Sequence, residues 1–204
     1  MSGRRISLRG ATIIALLIAV VSTVHAQAPG DFASEPDKSM ARAQESFVKG
    51  DMNKAADQIH KAAVYVKKQG DKVTKDAKGA VKKAGDDLDR LGRDVKKGTV
   101  KSGDQLKRTF AQVDHQLATA WHKTADEAKK AGKDSSNALK NAGAGLEGAA
   151  KWSGTQLKEG AQVSVDGVKK VGQGVKLGAE DVGKFFTGIG QGIADVGQHL
   201  KSSS

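Results

Sequence analysis

Apolar residues recur at every eleventh position through the middle of this chain: Val73, Ala84, Val95, Leu106, Leu117, Ala128, Leu139, Ala150 and Ala161. A second row, four places on, reads Ala77, Leu88, Thr99, Phe110 and Trp121, then glycine at 132, 143 and 154. A third, seven places on, includes Ala80, Leu91, Val113, Leu146, Leu157 and Val168. Offsets of zero, four and seven fall on one helix face, and an 11-residue period keeps that face nearly parallel to the axis or gives a slight right-handed supercoil. The pattern predicts an amphipathic repeat over residues 70–160. Its lipid-facing stripe is Val73, Ala84, Leu88, Leu91, Val95, Leu106, Phe110, Val113, Leu117, Trp121, Leu139, Leu146 and Leu157. Run as one helix, Val73 to Ala161 would reach about 130 Å.

Upstream, Met40, Ala43 and Phe47 keep helical spacing, Gly50-Asp51 interrupts it, and Ala55, Ala56, Ile59, Ala62, Ala63 and Val66 resume it. This predicts a short helical hairpin over 37–69, entered through a flexible lead-in at 27–36 whose Pro36 suits a first helical turn. The string ARAQESFVKGDMNKAADQIHKAAVYVK, at 41–67, resembles one tetratricopeptide-like unit. A single unit cannot bury its own face, so a lone hairpin is expected rather than an array.

Downstream the period shortens to seven. Val168, Val175, Val182, Ile189 and Val196, accompanied by Phe186, Ile193 and Leu200, form a heptad seam within a glycine-rich segment at 161–200, and 201–204 is a tail. Glycine pairs at 174/178 and 188/192 permit close helix approach, so self-association through 161–200 is one expected use. The fold class expected is all-α: the hairpin, then long amphipathic, partly disordered helices.

Residues 1–26 read as a secretory signal peptide. Arg4, Arg5 and Arg9 precede an apolar run from Ala11 to Val24, and Ala26 supplies the small residue at the exit. The run of 14 falls short of the ~20 residues that cross a bilayer. Export to a periplasmic or extracellular location is expected, and with no cysteine the chain folds there without disulfides.

The chain carries 34 basic and 23 acidic residues, a net +11. Without the three leader arginines this is +8, and 71–144, with 17 basic and 11 acidic groups, holds +6 of it. Lys96, Lys107, Lys129, Lys140 and Lys151 each follow a stripe residue by one place. About 100° around the helix, they can lay their methylenes along the stripe while the ammonium meets a phosphate. A basic, amphipathic middle predicts an anionic membrane surface as partner. Nucleic acid is the least expected partner after export, and one Tyr, two Trp and five Phe offer little for stacking on bases.

Between residues 70 and 200 stand 21 glycines and no proline. At about 0.8–1 kcal/mol each against alanine, these glycines forgo roughly 15–20 kcal/mol of helix preference. An isolated helix of this composition is marginal in water, yet the absence of proline leaves it free to form against a surface.

The segment HKTADEAKKAGKDSSNALKNAGAGLEGAAKWSG, at 122–154, resembles group 3 late embryogenesis abundant proteins, and its period is similar to that of exchangeable apolipoproteins. Over residues 71–160 the resemblance implies disorder in solution, helix formation on drying or on lipid, and protection of membranes or proteins under stress. The heptad tail and the hairpin have no counterpart in the first family.

No nucleophile elbow, HExxH, phosphate loop or dinucleotide fingerprint occurs, and the chain reads as lacking the core that a pocket-bearing enzyme needs. No catalytic residue, cofactor, metal or small-molecule substrate is expected. His115 and His122, seven apart on one helix face, read as two solvated histidines rather than a metal pair. The function expected is an exported, non-enzymatic stress-protection or envelope-associated protein that becomes amphipathic helix on anionic membranes or on desiccation. The alternative is a periplasmic helical scaffold or self-associating interaction module, and a third reading is non-specific binding of an acidic polymer.

Overall fold

The computed structural model describes residues 34–173 and 177–203. The segment expected to be a signal peptide (1–26), most of the expected lead-in and Val175 of the expected seam lie outside them. The described chain is all-helical: α1 (Ser34–Val48), α2 (Met52–Gln69), α3 (Lys78–Lys96), α4 (Gly103–Lys130), α5 (Ser136–Ser153), α6 (Glu159–Lys169) and α7 (Ala179–Ser202), with 3₁₀ turns at Lys75–Ala77 and Lys170–Gln173.

Glycine sets where the helices stop. Gly50, Gly98, Gly132 and Gly154 have φ between 66° and 79°, a left-handed conformation in which a side chain is strained. Around each, two hydrogen bonds close the helix end. At the end of α3, Gly98 N–H donates to Val95 O at 2.9 Å and Thr99 N–H to Asp94 O at 3.0 Å; Gly132 and Lys133 do the same to Lys129 and Ala128. This is the Schellman pattern. Two helix starts, of α2 and α4, are capped by side chains: Asp51 accepts from Lys54 N–H at 3.0 Å and Ser102 from Gln105 N–H at 3.2 Å.

The repeat region is therefore not one rod. It is broken at Gly98 and Gly132 into helices of 19, 28 and 18 residues that fold back on one another. Consecutive helices pack pairwise, and α4 is central, touching α1, α3, α5 and α7.

The glycines that do not turn the chain let helices meet closely. A Cβ on Gly145 of α5 would stand 2.9 Å from Ala118 N and 3.0 Å from Asp114 O, both backbone atoms of α4. A Cβ on Gly192 of α7 would stand 2.6 Å from a Leu146 methyl and 2.8 Å from Ala161 Cβ. The helix preference lost to glycine is offset by contact at these crossings, which a count of glycines in an isolated helix leaves out. The core that results is extensive, contrary to the sequence expectation. Among the described residues 38 apolar side chains are buried and 16 of them are alanine, so the core is broad but thin per residue.

Candidate functional site

The predicted stripe comes together, facing inward. Val73, Ala84, Leu88, Leu91, Val95, Leu106, Phe110, Val113, Leu117, Trp121, Leu139 and Leu146 are all buried in one cluster with Ile59 and Val66 of α2, and Leu157 is half-buried against it. The expectation of a lipid-facing surface is corrected for this fold: helices joined by tight glycine turns bury the same face against each other. Trp121 is fixed there by its indole N–H, which donates to Gln69 Oε1 at 2.8 Å.

The heptad seam is used in the same way. Val168, Ile189, Ile193 and Val196 are buried, and Val182, Phe186 and Leu200 pack partly buried on the core. The seam meets α4, α5 and α6 of its own chain.

The flanking lysines part company. Lys96 borders a shallow cavity beside His60 and Asp89. Lys129 Nζ stands 5.2 Å from the centroid of the Phe186 ring, a cation–π contact onto α7. Lys140 is half-buried on α5. Lys107 and Lys151 share a site, a cleft bounded by α1, α4, α5 and α7.

Behind that cleft lies a feature the sequence reading missed. Asp114 of α4 is 2% exposed and faces Asp37 of α1. Trp152 Nε1–H donates to Asp37 Oδ1 at 3.4 Å, and its ring meets Phe110 edge-on at 5.1 Å. Asp114 Oδ2 is buried and makes no hydrogen bond of ordinary geometry, although the Trp152 indole acts on Asp114 as it does on Asp37; a proton on one carboxyl, donated to the other, satisfies the pair. Burial raises the pKa of Asp114 well above its ordinary value, and the charge of Asp37 adds to the rise. Burial raises Asp37 as well, opposed by its bonds with Asp114 and Trp152 and by the Lys151 charge. Gly148 makes the room: a Cβ there would stand 2.5 Å from Asp114 Oδ2. The signal was legible, since Asp114 interrupts the stripe between Phe110 and Leu117 at helical spacing.

The two histidines of α4 are not merely solvated. His115 Nε2 lies 2.9 Å from Ile193 O and His122 Nε2 3.0 Å from Phe186 O, both on α7. A carbonyl only accepts, so each imidazole donates through Nε2. Each oxygen already accepts from the amide four residues on, which belongs to Gly197 and Gly190 respectively. A Cβ at either glycine would come within 2.7 Å and 3.1 Å of the corresponding His Nε2. The antiparallel register is the same at both sites, one heptad apart.

Among the described residues, no group of three or more His, Cys, Asp or Glu could hold a metal, and no helix is long and apolar enough to cross a membrane. Comparisons with protein-family models, with curated proteins and with solved structures find no match.

Proposed function

We propose that this chain is an exported, non-enzymatic protein of the cell envelope or of stress protection, and that its bundle opens on anionic membranes. The residues that the 11-residue pattern marks for lipid are the same ones that hold the bundle closed, and this observation carries the reading. Opening at the glycine turns exchanges helix–helix contact for helix–lipid contact along one face, and the helices need not melt. Burying a large side chain contributes about 1.5–3 kcal/mol wherever the apolar surroundings lie, so stripe residues lose little in the exchange. The alanine-rich core gives the closed state only a moderate advantage, and the basic charge of 71–144 favours an anionic surface.

Vesicle flotation with circular dichroism tests this. The chain floats with phosphatidylglycerol vesicles at low salt, is released at high salt, ignores phosphatidylcholine, and keeps its helix content throughout. Indifference to lipid charge, with no flotation at low salt, overturns the reading.

A further inference from the structure

The cleft in front of Trp152 has the makings of a phosphate site. Its volume is about 570 Å³, and Lys107, Arg108, Lys151 and His199 line it, with Trp152 and Gln44 among the other lining residues. These groups come from four separate helices, so only the fold brings them together.

Some of the surface cations among the described residues are already engaged by carboxylates. Lys82, Lys83 and Lys130 pair with carboxylates one turn away, and Lys67 and Lys169 with carboxylates on a neighbouring helix. Among the described residues, Lys107, Arg108 and Lys151 have no carboxylate within ion-pair distance; Asp104, which also borders the cleft, pairs with neither Lys107 nor Arg108. Three permanent cations thus share the cleft lining with one carboxylate, and Lys151 also acts on Asp37 behind it.

Helix dipoles do not account for the cluster. Lys151 and His199 are in the last turns of α5 and α7, where a cation is favoured, but Lys107 and Arg108 are near the N-terminal end of α4, where it is not. Lys151 Nζ is 5.0 Å from the Trp152 ring centroid, and Trp152 is itself held by Asp37, so one cation rests on a fixed platform.

We propose that this cleft binds a phosphate group. Arg108 offers a planar fork of donors, Lys107 and Lys151 offer point charges, and His199 adds an imidazole donor, a set suited to a compact anion with several acceptor oxygens. The cavity exceeds a bare phosphate, leaving room for the group that carries it. The choice of phosphate over another anion rests on the membrane reading above, and the source is either a lipid headgroup or a soluble phosphomonoester.

Nuclear magnetic resonance on the whole chain tests the proposal, with the indole N–H of Trp152 as reporter. Glycerol phosphate is titrated at constant ionic strength, and phosphatidic acid in phosphatidylcholine vesicles is added separately. The Trp152 signal should shift saturably in at least one arm, and the arm that responds names the source. A Lys107→Gln/Lys151→Gln variant should bind about tenfold more weakly or worse, while Lys61→Gln/Lys68→Gln, with the same loss of charge on the exposed side of α2, binds as the parent does. Both variants are first checked for the parent's circular dichroism. Shifts that never saturate in either arm, or equal weakening in the two variants, overturn the site. The outcome is separable from that of the opening mechanism. Saturable glycerol phosphate binding without flotation on phosphatidylglycerol keeps the cleft and removes the opening; flotation with an unmoved Trp152 signal in both arms does the reverse.

Discussion

Asp114 and Asp37 face each other where α1 crosses α4, and one of the two must carry a proton for their contact to be favourable. Lys151 and Glu147 of α5 also act on Asp37, in opposite directions, and Trp152 donates to it. Both carboxyls have raised pKa values, so between the unfolded value, about 3.9, and the raised folded values the native state binds more protons than the unfolded one. The pair's contribution is then full below the unfolded value and is lost as pH rises through the folded ones. Denaturant midpoints measured from acid to alkaline pH should fall across that interval. Asp114→Asn, which keeps a donor for Asp37 without the charge, should flatten the fall and stabilise the protein at alkaline pH by about 1–3 kcal/mol.

His115 and His122 hold α7 against α4 through two equivalent hydrogen bonds. Substituting either by alanine should cost about 1 kcal/mol, and amide exchange should rise in α7 before it rises in α2 or α3. Glutamine, which retains an N–H donor, should recover part of the loss at either site. Equal exchange everywhere in the alanine variants would mean that the histidines do not act as this latch.

Glycine replacements should change sign with position. Gly132→Ala meets no atom within 4 Å, but its φ of 66° is strained for alanine, so a loss of about 1–2 kcal/mol is expected. Gly183, helical and in open space within α7, should gain about 0.5–1 kcal/mol on becoming alanine. Gly145→Ala should cost more than either, about 2–3 kcal/mol, because the clash is with α4 backbone. Thermal unfolding of the three variants checks the order.

These opposite signs mark what the sequence could and could not disclose. The stripe at Leu88, Leu106, Phe110, Leu117 and Trp121 was readable because helical periodicity records which face is apolar. It does not record whether the apolar partner is lipid or another helix. Turns at Gly98 and Gly132 were hidden for a related reason. Gly132 falls on the same row as Phe110 and Trp121, so a pattern read for its period treats a turn glycine and a packing glycine such as Gly143 alike. Asp114 could have been noticed as a break in the stripe, but its partner Asp37 is 77 residues away and only the α1–α4 contact joins them. The cleft was half visible: Lys107 and Lys151 were marked, Arg108 adjoins Lys107 on α4, and His199 enters only through the packing of α7 on α4.

The central claim is that one apolar face serves both the closed bundle and the membrane, and fluorescence quenching by lipid tests it most directly. Trp121 and Trp152 are 5% and 6% exposed in the bundle, so neither is within reach of a quencher fixed on an acyl chain while the bundle stays shut. With phosphatidylglycerol vesicles carrying such a quencher, tryptophan emission should drop while circular dichroism holds its helical signal, and phosphatidylcholine vesicles should leave emission unchanged. If the chain binds the anionic vesicles and both tryptophans stay unquenched, the bundle docks closed and the stripe is core alone.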